Sequence, residues 1–328
     1  MEDEIVFSQL ILEHGGTVVP LIIPAEETNG AALANPSVYV HNDEILVNIR
    51  HLNYVLYHAE KHKHEHIWGP LTYLNPENDI TLRTTNYICR LNDDLSIKQY
   101  LKVDTSRLDV RPLWEFIGLE DARLVNWDNK FYLCGVRRDT TTNGVGRMEL
   151  SEIELTDISA TEIARTRMPA PGKDDSYCEK NWMPIIDKPY HWIKWSNPTE
   201  VVKFDTTTKT TTTEYLGTYT DQLQKDQRGG SQVIPFEGGY LSLTHETNLY
   251  YSERGLKDAH YRHRFMFWDK DFNFVRSSPE FNFMDAKIEF SCGMAEYRGD
   301  LLITFAFQDN AAYLARVPKS LVHNFLYA

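Results

Sequence analysis

Two adjacent carboxylates followed closely by an arginine, Glu120-Asp121-Ala122-Arg123, form the segment best suited to acid–base chemistry. Side chains alternate along a strand, so Asp121 and Arg123 are expected on one face and Glu120 on the other. Burial raises a carboxyl's pKa and a nearby guanidinium lowers it, and a general acid needs the two in balance. The same residues also fit an ordinary surface ion pair capping a strand.

A second set suits an anion. Arg137 and Arg138 end an apolar run, Arg147 follows Gly146, and Arg228 precedes Gly229-Gly230-Ser231. Arginine binds phosphate in bidentate fashion, and glycines let backbone N–H groups approach its oxygens. His245 and the basic, aromatic run Ala259–Arg264, with Tyr261, His263 and Arg264, add donors and a flat ring. Each arginine can equally pair with one of the chain's surplus carboxylates. Of His58, His62, His64 and His66, the first two have the i, i+4 spacing that binds a metal on a helix. No Glu-Xaa-Xaa-His pattern accompanies them, so a solvated polar insertion without a metal is expected.

Composition narrows the classes. The 328 residues carry 34 basic and 47 acidic side chains, a net charge of −13 that disfavours general affinity for nucleic acid or an anionic membrane. No apolar stretch approaches the length of a membrane span, and the acidic Met1–Leu12 segment does not read as a secretory signal. Four widely spaced cysteines, Cys89, Cys134, Cys178 and Cys292, lack metal or disulfide spacing. Free thiols and a cytoplasmic location are expected. Aromatic residues make up 12%, which suits both strands and sugar platforms.

The positioning elements are repeats. Hairpins are expected near 35–50, 120–137, 181–196, 229–246 and 292–308, each with turn residues between apolar runs: Asn42-Asp43, Asp128-Asn129, Asp187-Lys188, Glu237-Gly238-Gly239 and Arg298-Gly299-Asp300. Five such units predict an all-β chain, a single five-bladed β-propeller over residues 1–328, with polar strand ends converging on the axis. Tyr87–Leu91, Met148–Leu155, Val201–Phe204 and Arg264–Trp268 are expected as outer strands, Thr206–Thr213 as an outer hairpin, and Val55–His66 as a short helix.

Gly118-Leu119-Glu120-Asp121-Ala122-Arg123 resembles the Gly-Xaa-Glu-Asp-Pro-Arg pattern of the glycoside hydrolase family 130 mannoside phosphorylases and the related glycosyltransferase family 108, with Ala122 where those families have proline. Asn35-Pro36-Ser37 with Arg50 is similar to an early family motif, and His245, Tyr261, Glu289–Gly293 and Asp309 are similar in order to later ones, so the resemblance runs from Asn35 to about Val317. Tyr261-Xaa-His263-Arg264-Phe265 also resembles a propeller module found beside glycosyltransferases. The resemblance implies a five-bladed propeller, inversion at the sugar carbon, and Asp121 as the single proton donor. It implies phosphate bound by Arg137, Arg147, Lys180, Arg228 and His245; Ser231, next to Gly229-Gly230, and Arg264, in the basic run, are expected to join them from their residue types. Sugar would meet Asn35, Arg50, Asn53, Glu120, Arg123, Asn181, Tyr261, Glu289 and Asp309. No cofactor or metal is implied, since inorganic phosphate, a sugar phosphate or a sugar nucleotide is itself a substrate. A nucleotide-dependent transferase, a silent carbohydrate-binding module, and a hydrolase with Glu289 activating water remain alternatives.

Overall fold

The computed structural model describes residues 4–58, 71–173, 178–223, 227–251, 253 and 255–328. Strands alternate with tight turns whose residues accept left-handed backbone: Asn42, Asp43, Asp128, Asn129, Glu237 and Arg298 all have positive φ, where Asn and Asp are least costly.

The strands make up an all-β propeller fold, described below as five units of mainly antiparallel strands among the described residues, the first two joined into one nine-stranded sheet by a short parallel pairing of Val103–Asp104 with Ala160–Thr161. The first is Leu33–His41, Glu44–Leu52, Leu82–Leu91 and Ile97–Asp104. The second is Glu120–Trp127, Lys130–Arg137, Arg147–Leu155 and Ala160–Arg167. Met183–Pro184, His191–Ser196, Thr199–Asp205 and Thr210–Leu216 make the third. In the fourth, Gln227–Gly229 and Ile234–Phe236 both pair with Gly239–Tyr251, followed by Lys257–Trp268 and Phe274–Ser277. The fifth combines Glu289–Tyr297, Asp300–Phe307 and Ala311–Pro318 with Thr17–Leu21, so an amino-terminal strand completes the last blade.

The innermost strands touch in a ring. At their centre the fully buried amide of Gln232 joins four units: its Nε2 donates to Ser37 Oγ (2.9 Å), Val38 O (2.8 Å) and Leu124 O (2.9 Å), and its Oε1 accepts from Met294 N (3.0 Å). Gly229 packs so closely on the third unit that a Cβ would lie 2.0 Å from Asn181 O, and a Cβ on Gly230 would lie 2.5 Å from Leu243 O. Close packing of the backbone therefore requires glycine at both positions.

Other expectations change. Val55–His58 is a strand paired with Leu71–Leu74 rather than the start of a helix; the remainder of that segment, with His62, His64 and His66, lies outside the described residues. The four candidate outer strands are third strands, each with a further strand beyond it. Thr210–Leu216 does follow a turn at Lys209, whose φ is positive.

Gln232→Ala strands buried partners in three neighbouring units and is expected to cost about 3 kcal/mol of stability. Urea unfolding of wild type and variant checks this, and an unchanged midpoint would refute the axial role.

Candidate active site

Asp121 does not continue the regular strand. Its φ is +52°, and the pairing with the next strand shifts between Cys134 and Val136. The alternation expected from sequence therefore fails here, and both carboxylates turn toward one guanidinium. Arg50 Nη1 lies 2.7 Å from Asp121 Oδ1, and its Nη2 lies 3.3 Å from Glu120 Oε2. The guanidinium is fixed by donating to Thr84 Oγ1 (3.1 Å) and Tyr54 Oη (3.1 Å), while Asn35 Nδ2 donates to Asp121 Oδ1 at 2.7 Å.

Arg123 connects this acidic corner to a basic one. Its Nη1 donates to Asp121 O (2.7 Å) and its Nε to Gly230 O (2.8 Å), while its face lies 5.6 Å from the Phe290 ring. His245 meets the same ring edge-on at 4.7 Å and stacks on Tyr261 at 5.5 Å. Arg228, Lys180 and Arg123 are all near enough to depress the His245 pKa, although burial is the larger cause, so the imidazole is neutral. Arg123 Nη2, His245 Nδ1, Asn35 Oδ1 and Asn181 Oδ1 are buried without hydrogen-bond partners among the described residues.

The carboxyls have divergent proton affinities. Burial pushes Asp121 up, but Arg50, the Asn35 amide, Arg123 and Lys180 outweigh it and leave its pKa below the ordinary value. Burial dominates at Glu120, which is raised despite Arg50. At Asp309 burial, with the Asp121 and Glu120 charges, lifts the carboxyl to about 6 against the pull of Arg50 and Lys180.

Several sequence candidates lie elsewhere. Arg137 is buried in an ion cluster with Glu149 (2.6 Å), Asp139 (3.6 Å) and Glu162 (3.8 Å), where its charge is already compensated. Its neighbour Arg138 instead reaches Glu120 at 3.6 Å and lies over Phe116. Arg147 is buried and donates to Val145 O and Gly146 O. Arg264 is held by Glu280 and Ser278 O. Ser231 Oγ donates to Gln232 O and accepts from Leu243 N inside the fourth unit. Asn53 orders the 79–83 loop through Asp79, Thr81 O and Arg83 N. Glu289 accepts from the backbone N–H groups of Phe283, Met284 and Ala286; burial lifts it to about 7, but its oxygens are committed to that turn.

The structure adds Tyr54 and Tyr73, and it puts Arg138, named with Arg137 from the sequence, beside Glu120. Tyr73 lies edge-on to Tyr54 at 5.4 Å and close enough to Asp309, Arg50, Glu120 and Asp121 to feel their charges. Nothing in the Tyr73 spacing links it to the acidic pair; only the pairing of Val55–His58 with Leu71–Leu74 brings it there. Among the described residues no metal-binding group of acidic, His or Cys residues occurs, and no helix is long and apolar enough to cross a membrane.

No family model and no curated protein matches the chain. Solved structures do. It is similar to a β-1,2-mannobiose phosphorylase from Listeria innocua (13% identity, TM-score 0.55, covering 90% of this chain and 92% of that one). It is also similar to a structure described under the glycoside hydrolase family 130 mannoside phosphorylases, a family said to contain hydrolases of β-1,2-mannosidic linkages in Candida mannan (15%, 0.58, 88% and 84%). A mannose phosphorylase from Leishmania mexicana in complex with phosphate ion also matches (11%, 0.50, 95% and 92%). At these identities the likeness is one of fold, and the fold is that of the β-propellers.

Asp309 provides a pH test. A carboxyl with a raised folded pKa stabilises the protein while protonated in both states, and that contribution is lost as pH rises from about 4 to about 6. Asp309→Asn is therefore expected to stabilise the ligand-free protein by about 1–2 kcal/mol at pH 7 and by much less at pH 4. Urea titrations at both values check this; an equal effect at the two would contradict it.

Proposed function

We propose that the chain is an inverting glycoside phosphorylase acting on a β-mannoside-like substrate, with Asp121 as the proton donor. The carrying observation is that one guanidinium, Arg123, bonds the backbone of Asp121 while retaining a buried, unpartnered N–H beside neutral His245. An acid and an anion cradle thus adjoin. The cations Arg50, Arg123, Arg138, Lys180 and Arg228 outnumber the carboxylates Glu120, Asp121 and Asp309 around this site, in a protein whose overall charge is negative. The mannoside and phosphate named for the similar solved structures support the same reading.

In this mechanism an oxygen of phosphate attacks the anomeric carbon from the face opposite the leaving group. The C1–O bond breaks, its electron pair goes to the leaving oxygen, and that oxygen takes the proton originating at Asp121. One displacement inverts the anomeric centre. Asp121 is an anion at neutral pH before ligands bind, so it must acquire its proton. Phosphate beside Arg123 and Lys180 offsets the positive charge that holds Asp121 ionised, and substrate burial removes water; both raise its pKa. Tyr261 and Tyr73 offer faces for sugar rings. Because Glu289 is occupied by three backbone donors, water activation by that residue is disfavoured relative to attack by phosphate.

Incubation with mannose 1-phosphate or GDP-mannose and a panel of acceptor sugars is expected to release phosphate from the former. Asp121→Asn should lower kcat by about 10²- to 10⁴-fold, the usual contribution of a positioned acid; undiminished turnover would exclude that role. Release of GDP alone would favour a nucleotide-dependent transferase, and silence with every donor a binding module. Arg228→Met is expected to raise the KM for phosphate about tenfold or more with a smaller effect on the KM for sugar. Equal effects on both would place Arg228 outside the phosphate cradle.

A further inference from the structure

A residue other than glycine with left-handed backbone on a strand must be held there by its surroundings. At Asp121 the holding groups can be named. On the preceding side, Asn86 Nδ2 donates to Leu119 O at 2.9 Å. On the following side, Asn48 Nδ2 donates to Ala122 O at 3.2 Å, and it also donates to Asn86 Oδ1 at 3.0 Å. The two amides thus form one continuous bracket across the residues flanking Glu120-Asp121. Both are buried, at 0% and 7% exposure. They project from the adjacent strands Glu44–Leu52 and Leu82–Leu91 of the first unit, and Asn86 stands directly opposite Arg50 in that pairing.

Gly118 strengthens the preceding side. It has a φ of +98°, a Cβ there would lie 2.4 Å from Thr84 O, and its N–H donates to Asp139 Oδ2 at 3.2 Å. The same pair of strands therefore supplies the guanidinium that grips the carboxylates, the hydroxyl of Thr84 that orients it, and the amides that fix the opposing backbone. Asn48 and Asn86 direct their donors to backbone carbonyls or to each other, so neither contacts the reacting groups through those bonds.

We propose that Asn48 and Asn86 are positioning residues, an amide clamp that sets the left-handed backbone of Asp121 and so holds its carboxylate against Arg50. The clamp rests on this geometry; its effect on turnover rests also on the phosphorylase reading. Loosening it lets the carboxylate move away from its strongest cationic partner while remaining buried, and both changes favour the protonated form.

The direct test is ¹³C NMR titration of the Asp121 carboxyl in the ligand-free protein, with the signal assigned by its loss in Asp121→Asn. Wild type is expected to titrate below an ordinary aspartate. Asn86→Ala and Asn48→Ala should each move the midpoint upward by about one pH unit or more. If Asn86→Ala does not fold, Asn86→Ser serves, because its hydroxyl is too short to span to Leu119 O. Asn197→Ala is the control for a merely structural loss: Asn197 is equally buried and bonds Thr220 O and Thr220 N in the third unit. It should lower Tm without moving Asp121. An unmoved Asp121 titration in the folded clamp variants, or the same shift in Asn197→Ala, would overturn the proposal. With an active donor, the clamp variants should lose about 10- to 100-fold in kcat while KM stays within about twofold. A shifted titration in a protein that turns over no mannosyl donor would support the clamp and remove the phosphorylase reading.

Discussion

The contact between Arg50 and the paired carboxylates of Glu120 and Asp121 is the interaction around which the site is organised. It joins the first and second units, and it exists only because the strand departs from regular alternation at Asp121. Concentrating two carboxylates on one buried guanidinium is costly in desolvation, so its value lies in fixing charge rather than in net stability. The imbalance it creates separates neighbouring proton affinities: Asp121 is held below its ordinary pKa, while Glu120 and Asp309 are held above theirs. A reaction centre that must take up and release a proton near neutrality benefits from such a gradient.

The scaffold makes this arrangement rigid. Gln232 ties the inner strands of four units at the axis, and Arg123 binds backbone on both the second and fourth units. Short, close inner strands bring acid, cations and aromatic rings from widely separated sequence positions to one place. Tyr73 arrives by a different route, on a two-stranded extension of the first unit that Asn310 fastens through both the N–H and the carbonyl of Leu56. That extension places an aromatic face beside the fifth unit's Asp309.

The turns were readable because their physics is local. Asn42-Asp43 and Asp128-Asn129 adopt the positive φ that their side chains tolerate, so alternating apolar runs around them could be placed in register. Asp121, Arg50, Asn35, Asp309, Tyr261 and His245 lie together around one site, which strand-end polarity within a repeat anticipates. What local pattern could not supply was parity. A single irregularity at Asp121 turned Glu120 toward the same guanidinium, and Arg138 rather than Arg137 reaches Glu120. Arg137 and Arg264 found carboxylates within their own units, Glu149 and Glu280, through pairings fixed only by tertiary structure. Asn48 and Asn86 had no motif at all, since their partners are carbonyl oxygens on another unit.

In the proposed reaction, Asp121 and the adjoining cations act on opposite sides of one anomeric carbon. The most direct measurement is ¹H and ³¹P NMR of the first product formed from a β-linked mannobiose in inorganic phosphate. A single displacement predicts α-mannose 1-phosphate appearing in step with free mannose, with no signal from the β-phosphate. The β-phosphate as first product, or two equivalents of mannose without any sugar phosphate, would contradict the account.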